Sequence, residues 1–268
     1  MAPEQLAQAN SLRSGALMGA PLLGYGLGGV LVTGLGAGPT LLACAPFIAA
    51  LSVAAWWLPR LATQDRQKLN PLRDLQVGLN VIFRSRYLLG LLTLSFVLNA
   101  AMNLMNTRSP LFMRDFGRGA PDYALYEMLT SGGVLLGIVL VTPLGKRWPL
   151  DRLIGTGCWV LALASAGFVV TQVPAWWAAG LVFGAGVGLV EVAGTTRSQE
   201  VIPAKMRGRV MGALMSVNAF GLVAGAALAS LALSTQALML GLCGVLLALA
   251  LGWRHALKAE PTSPVNAE

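Results

Sequence analysis

The sequence has little charge. Asp, Glu, Lys and Arg make up 11% of its 268 residues, against about 25% in an average soluble domain. A soluble fold of this size leaves roughly a quarter to a third of its chain area in water, and so few charges cannot cover that surface. Histidine occurs once, as His255 in a basic tail, which excludes most histidine-based catalysis. No Ser/His/Asp set is present. Cysteine occurs three times, too rarely for a disulfide scaffold. Cys44, Cys158 and Cys243 each lie in apolar sequence without metal-ligand spacing and read as small core residues. No GxxxxGK[ST] loop and no strand-linked GxGxxG occurs, which excludes a nucleotide-driven pump. The opening MAPEQLAQANSLRS has no basic stretch running into an apolar one, so it is not a signal peptide. No enzyme chemistry, cofactor or metal is expected.

What the chain does have is apolar length. Hydrophobic residues reach 56%, glycine numbers 32, and the mean hydropathy is +0.68. That much apolar sequence excludes disorder. A helix crossing the roughly 30 Å hydrocarbon core needs about 20 apolar residues. Eight stretches qualify, at about 14–33, 38–58, 87–106, 123–142, 153–171, 175–195, 208–231 and 235–253. The expected fold is an all-α, polytopic membrane protein. Glycines four apart (Gly24 and Gly28; Gly133 and Gly137; Gly180, Gly184 and Gly188; Gly221 and Gly225) mark faces where helices cross closely.

The net charge is +8. On a soluble chain that balance suggests nucleic acid; here the basic residues alternate with the spans. With the N-terminus inside, all but Arg108, Arg114 and Arg118 of the 19 Lys and Arg fall in the inside segments. This bias orients the chain with both termini cytoplasmic and leaves no basic face for nucleic acid. The partner is the lipid bilayer of an inner or plasma membrane; nothing fixes an oligomeric state. Residues 1–59 carry two spans. Residues 60–86 form a linker whose second half, with Leu75, Leu79, Ile82 and Phe83 at helical spacing, reads as an interfacial helix. Residues 87–255 carry six spans, and 256–268 read as a disordered tail.

Polar residues inside the spans are the functional candidates. Asn99, Asn103 and Asn106 share a helix face, either bonding a neighbouring helix or lining a transport path. Asn218 sits among small residues and can bridge to a neighbour. Glu191 lies late in its span, six residues before Arg197; it pairs with that arginine or a loop arginine, or carries a proton. Glu127 lies one turn beyond Asp122 near a helix start, where it answers the helix terminus electrostatically or serves as a substrate or proton group. Lys146, Arg147, Arg207 and Arg209 are loop anchors. Arg108 reaches toward headgroups at the other side.

Several segments together resemble a known family. QEVIPAKMRGRVMGALMSVNAFGLVAGAALAS, through Thr195 and Thr196 just before it and Gln199, Ile202-Pro203, Arg207, Gly208, Arg209 and Val210, is similar to the loop between helices ten and eleven of major facilitator superfamily exporters, in the branch of enterobactin exporters and macrolide-efflux proteins. PEQLAQANSLRSGALMGAPLLGYGLGG resembles the entrance of helix five, through Pro3, Glu4, Leu6, Ala9, Asn10, Gly24 and Gly28. NPLRDLQVGLNVIFRSRYLLGLL resembles the central loop entering helix seven, through Asp74, Leu75, Gly78 and Leu79. In TPLGKRWPLDR the family's charged loop between helices eight and nine keeps its basic character without its full Gly/Asp/Arg pattern, so headgroup anchoring by Lys146 and Arg147 is the simpler expectation than gating. The resemblance implies a partial major facilitator fold in which the eight spans match helices five to twelve and the first four are absent. It also implies secondary active, proton-coupled efflux of a small molecule such as a drug or siderophore. The alternative is a truncated, non-transporting chain that needs the missing helices in trans.

Overall fold

The structure is a computed structural model that describes residue 20, residues 23–57 and residues 71–256. The expected start of the first span, the first part of the linker and nearly all of the tail lie outside the described residues. The described chain is helical: α1 (Leu23–Leu35), α2 (Ala37–Trp56), α3 (Pro71–Arg84), α4 (Arg86–Asp115), α5 (Ala120–Gly145), α6 (Leu150–Gly167), α7 (Val173–Val201), a single 3-10 turn (Ala204–Met206), α8 (Arg207–Ala229) and α9 (Thr235–Ala256).

Six of these helices, α2, α4, α5, α7, α8 and α9, are long and apolar enough to cross a membrane, against the eight expected. The described part of α1 is too short. The expected span 153–171 corresponds to α6, which begins earlier and ends at Gly167. It therefore takes Asp151 and Arg152 into its first turn and leaves Phe168–Val170 to a turn, which lowers its apolar content. The difference at α6 comes from its helix ends, the least legible feature of an apolar run.

Hydroxyl side chains sit within the helices at little cost because they bond the carbonyl four residues back. Thr93, Thr107, Thr130, Thr156, Ser165, Thr196, Ser198 and Ser216 all do so. The linker expectation corresponds in the described part to α3, which carries Asp74 in its first turn and Arg84 in its last, charges that suit the helix dipole. Ser85 then accepts a hydrogen bond from the Leu88 backbone N–H at 3.3 Å and starts α4.

The principal helix pairs are α5 with α7, α6 with α7, α4 with α8, α6 with α9 and α3 with α8. Glycine explains the tightest. A Cβ on Gly133 would stand 2.1 Å from the Leu181 carbonyl oxygen, and one on Gly137 2.2 Å from that of Ala185. From the other side, Gly184 and Gly188 meet the carbonyls of Thr130 and Val134 at 2.1 and 2.2 Å. Gly225 approaches the Ala100 carbonyl of α4 at 2.2 Å. These faces match the glycine spacing in the sequence. Gly24 and Gly28 do not: nothing lies within 4 Å of either Cβ position, and the crossing of α1 is made by Gly26 and Gly29.

Helix α2 stands apart. Thr40 is its one buried residue, and Leu42, Phe47, Leu51, Trp56 and Trp57 are exposed. Cys44 is exposed with them, against the expectation of a core position, because α2 packs on almost none of the described residues; Cys158 is buried and Cys243 half-buried. At one end of the bundle Trp176, Phe168, Tyr126 and Phe183 form a buried aromatic cluster, with Phe112 stacked on Trp176 at 3.7 Å.

Candidate functional site: polar groups inside the helix bundle

Side chains that cannot satisfy themselves within their own helix are the informative ones. The asparagine row separates on this test. Asn99 is half-buried and donates to the Ser95 carbonyl one turn back at 2.8 Å. Asn103 donates across the helix pair to the Leu222 carbonyl of α8. Asn106 is exposed. The expected common face thus bonds to its own helix, to its neighbour and to neither, in that order along α4. Asn218 sits on α8 one turn before Leu222, half-buried, and its Oδ1 is buried with no hydrogen-bond partner among the described residues. Farther along α4, Arg108 donates to the Leu231 carbonyl at 2.6 Å. This fastens the end of α4 to the chain leaving α8. Ser109, beside Arg108, is fully buried, its hydroxyl without a partner among the described residues.

The charged residues form two groups at opposite ends of the bundle. The first centres on Asp151. Its carboxylate accepts a hydrogen bond from the Tyr87 hydroxyl and pairs with Arg197 at 3.5 Å, while Arg197 also reaches Glu200 at 3.0 Å. The Arg197 guanidinium lies over the Tyr87 ring, 5.7 Å from its centroid. Trp253 stacks obliquely on Tyr87 at 5.8 Å and donates its indole N–H to the Asp151 carbonyl at 3.0 Å. Four helices, α4, α6, α7 and α9, therefore meet at one hydrogen-bonded cluster. The expected Glu191–Arg197 pair is absent. Six residues along a helix turn the side chain through about 600°, which leaves the two groups roughly 120° apart around the axis; Glu191 is exposed and Arg197 is satisfied elsewhere. Tyr87 and Trp253 are missing from the sequence candidates, and Asp151 enters them only as part of the charged loop before α6, where a gating role is set aside. Opposite charges at the facing starts and ends of consecutive helices were the available signal, with Asp151 opening α6 and Arg197 closing α7.

The loop anchors differ from one another. Arg209 pairs with Asp74 at 2.8 Å, and the Cβ position of Gly78 lies 2.5 Å from the Arg209 carbonyl oxygen. This arginine anchors α3 to α8. Arg207 donates to the Ile202 carbonyl at 3.3 Å and closes the turn after α7. Lys146 and Arg147 are exposed. Arg152 lies over the Trp148 ring at 4.8 Å.

At the opposite end Arg118 pairs with Asp122 at 3.8 Å, and Trp177 donates to the Asp122 carbonyl at 3.2 Å. Glu127, beyond them on α5, is 4% exposed. It makes no ion pair among the described residues, and its Oε1 is buried without a hydrogen-bond partner. Its surroundings are phenolic: Tyr25 from α1, and Tyr123 and Tyr126 from α5. Expected helix-terminus electrostatics do not describe this group, which lies about 10 Å into the helix at 1.5 Å per residue. Macrodipole effects fade within the first turn. Among the described residues no cluster of His, Cys, Asp and Glu is arranged to hold a metal ion.

Comparison with known proteins follows the same lines. The family model described as Major Facilitator Superfamily matches residues 1–226, and again residues 128–268. Over 242 residues the chain is 26% identical to YfiS of Bacillus subtilis (strain 168), an MFS-type transporter described as uncharacterized, covering 85% of this chain and 57% of that protein. The crystal structure of the nucleoside transporter NupG (D323A mutant) superposes with a TM-score of 0.70 at 15% identity, covering 88% of this chain and 65% of that one. The chain thus spans a little over half the length of the curated relative it matches.

Proposed function

Because the chain belongs to the Major Facilitator Superfamily, we propose that it serves in secondary active transport, exporting a small molecule such as a drug or siderophore at the expense of a proton gradient. The observation that carries this reading is polarity placed inside apolar helices. Asn103 bridges α4 and α8, Asn218 has an unpartnered amide oxygen, and Glu127 is buried between α1 and α5. Such groups are costly in a bilayer, and their presence there points to binding or movement. In this reading Asn99, Asn103, Asn106 and Asn218 belong to the substrate path. Glu127, Glu191 and Arg197 are charged groups of gating or coupling, and Lys146, Arg147, Arg207 and Arg209 hold the loops at the cytoplasmic face.

The proposal carries the sequence-level assignments with it. The helices take positions five to twelve of the family fold in the enterobactin and macrolide exporter branch, counting α1 and α6 among eight spans. The chain divides into 1–59, 60–86, 87–255 and 256–268, with both termini cytoplasmic in the inner or plasma membrane. Transport then follows from alternating access between two bundles, and no covalent step is involved. The bare apolar surface of α2 favours a second reading, in which these helices reach activity only alongside further helices supplied in trans.

Inside-out vesicles carrying the full chain test the proposal. Acidifying the lumen is expected to drive accumulation of lipophilic dyes or ferric siderophores, and a protonophore is expected to abolish it. Accumulation that is absent with the chain alone but restored by co-expressed helices favours the second reading. Accumulation indifferent to the protonophore removes proton coupling.

A further inference from the structure

Helix α3 is amphipathic, but its more apolar side is already spent on protein. The Cβ position of Gly78 stands 2.5 Å from the Arg209 carbonyl oxygen and 2.9 Å from the Ala213 methyl, Asp74 pairs with Arg209 at 2.8 Å, and Ile82 is fully buried. The crossing therefore falls on the first turns of α8, and Leu75 and Leu79 pack half-buried against the core. The opposite side is bare. With about 100° of turn per residue, Leu72, Phe83, Gln76, Asn80 and Arg84 follow one another within roughly 120° around the helix, and all five are exposed. Leu72 and Phe83 are 73% and 62% exposed and stand about 16 Å apart along the axis. They form one edge of this sector, the two amides its middle and Arg84 its far edge. Apolar, amide and cationic groups thus succeed one another around α3 as acyl chains, headgroups and water do across a bilayer interface. The charge at this end is one-sided. Asp74 is held by Arg209, and Asp151 and Glu200 are held by Arg197. Arg84 and Arg86 at the α3–α4 junction, and Lys205 and Arg207 where α8 begins, are exposed and make no ion pair among the described residues. A surface complementary to both the unmatched positive charge and the two exposed apolar side chains is an acidic bilayer.

We propose that the outer face of α3 is a docking surface for acidic phospholipid. Leu72 and Phe83 enter the acyl boundary, and Arg84 and Arg86 take phosphate oxygens beside them. Helix α3 is clasped to the first turns of α8 at Asp74 and Gly78 and runs into α4 through the single residue Ser85. Lipid that seats α3 therefore also steadies the starts of α4 and α8. Acidic lipid is in this way a structural ligand of one end of the bundle, and high salt opposes it. The lipid class and its footprint go beyond the loop anchoring read for Arg207 and Arg209. Which leaflet is met rests on the proposed orientation of the transporter; the docking itself does not.

The test uses the full chain in nanodiscs, whose two leaflets are alike, made of phosphatidylcholine alone or mixed with phosphatidylglycerol. Amide hydrogen exchange within α3 is expected to be several-fold slower in the mixed discs at low salt. The difference should vanish at high salt and in R84Q/R86Q, and should survive in K146Q/R147Q, which removes an exposed basic pair elsewhere. Phe83→Ser should exchange faster than the native chain in the mixed discs. In a chain whose own cysteines are replaced by serine, a nitroxide on N80C should meet oxygen more readily than a water-soluble nickel chelate. Equal exchange of native α3 in both discs overturns the docking, as does an R84Q/R86Q chain that still distinguishes them or a K146Q/R147Q chain that no longer does. A nitroxide that meets the nickel chelate first lies in water, and one shielded from both reagents lies under protein; either overturns it as well. So does slowing of α3 exchange by inorganic phosphate in phosphatidylcholine discs, which makes the arginines a site for a free ion. None of these outcomes bears on dye or siderophore accumulation in vesicles, so the transport reading stands or falls separately.

Discussion

The residue that organises one end of the bundle is Asp151. Its two carboxylate oxygens engage Tyr87 and Arg197, while Trp253 bonds its backbone carbonyl, so loss of the carboxylate charge weakens the first two contacts and spares the third. Asp151→Asn is expected to lower the thermal unfolding temperature of the detergent-solubilised protein more than Glu200→Gln, which loses one contact on a half-exposed group. Because both Arg197 pairs are partly exposed, each is worth about 1 kcal/mol or less; a double-mutant cycle between Asp151→Asn and Arg197→Gln measures the coupling directly. Asn103→Leu should be milder, near the roughly 0.6 kcal/mol typical of interhelical hydrogen bonds in membranes, and should appear as a small loss of α4–α8 stability in the same assay. The sequence made the asparagines and Glu191 conspicuous because amides and carboxylates stand out in apolar runs. It concealed Tyr87 and Trp253, whose rings look like ordinary interfacial aromatics until the partner helices are placed.

Glycine spacing carried most of what could be foreseen among the elements. The rows on α5, α7 and α8 are close crossings, since a backbone approaches that near only where no Cβ intervenes. On α1 the same arithmetic pointed to Gly24 and Gly28, but the contacts fall to Gly26 and Gly29, because a helix wholly apolar around its circumference does not reveal which face meets protein. Placing a methyl at Gly184, 2.1 Å from a carbonyl oxygen, requires α5 and α7 to move apart. Gly184→Ala should cost about 1–3 kcal/mol, read as earlier thermal unfolding, whereas Gly212→Ala, with nothing within 4 Å, should be neutral or slightly stabilising. Helix α3 is held on α8 by Arg209 and Asp74. In Arg209→Gln, limited proteolysis is expected to cut more readily around α3 while the six longer helices stay protected.

For the molecule as a whole, the distribution of basic residues makes a geometric prediction. Arg118 and Lys146 lie at opposite ends of α5, and the proposed orientation, argued from the bias of Lys and Arg, has the Lys146 end in the cytoplasm. In a chain whose own three cysteines are replaced by serine, a membrane-impermeant thiol reagent added to intact cells should label R118C and spare K146C; the reverse pattern inverts the orientation. Membrane class and helical architecture were legible because hydrocarbon imposes length and composition on anything that crosses it. Which polar groups meet was not, because that depends on rotations of each helix about its axis to which hydropathy is blind.

The reciprocal contacts of α5 and α7 make a toothed coupling. Each helix offers glycine notches four residues apart, and carbonyl groups of the other helix lie in them. Four residues span about 6 Å, so axial slippage between the two rods is blocked in small increments and permitted only by whole notches. They must therefore travel as one keyed shaft, and a rigid shaft hands the displacement to whichever neighbour is not geared to it.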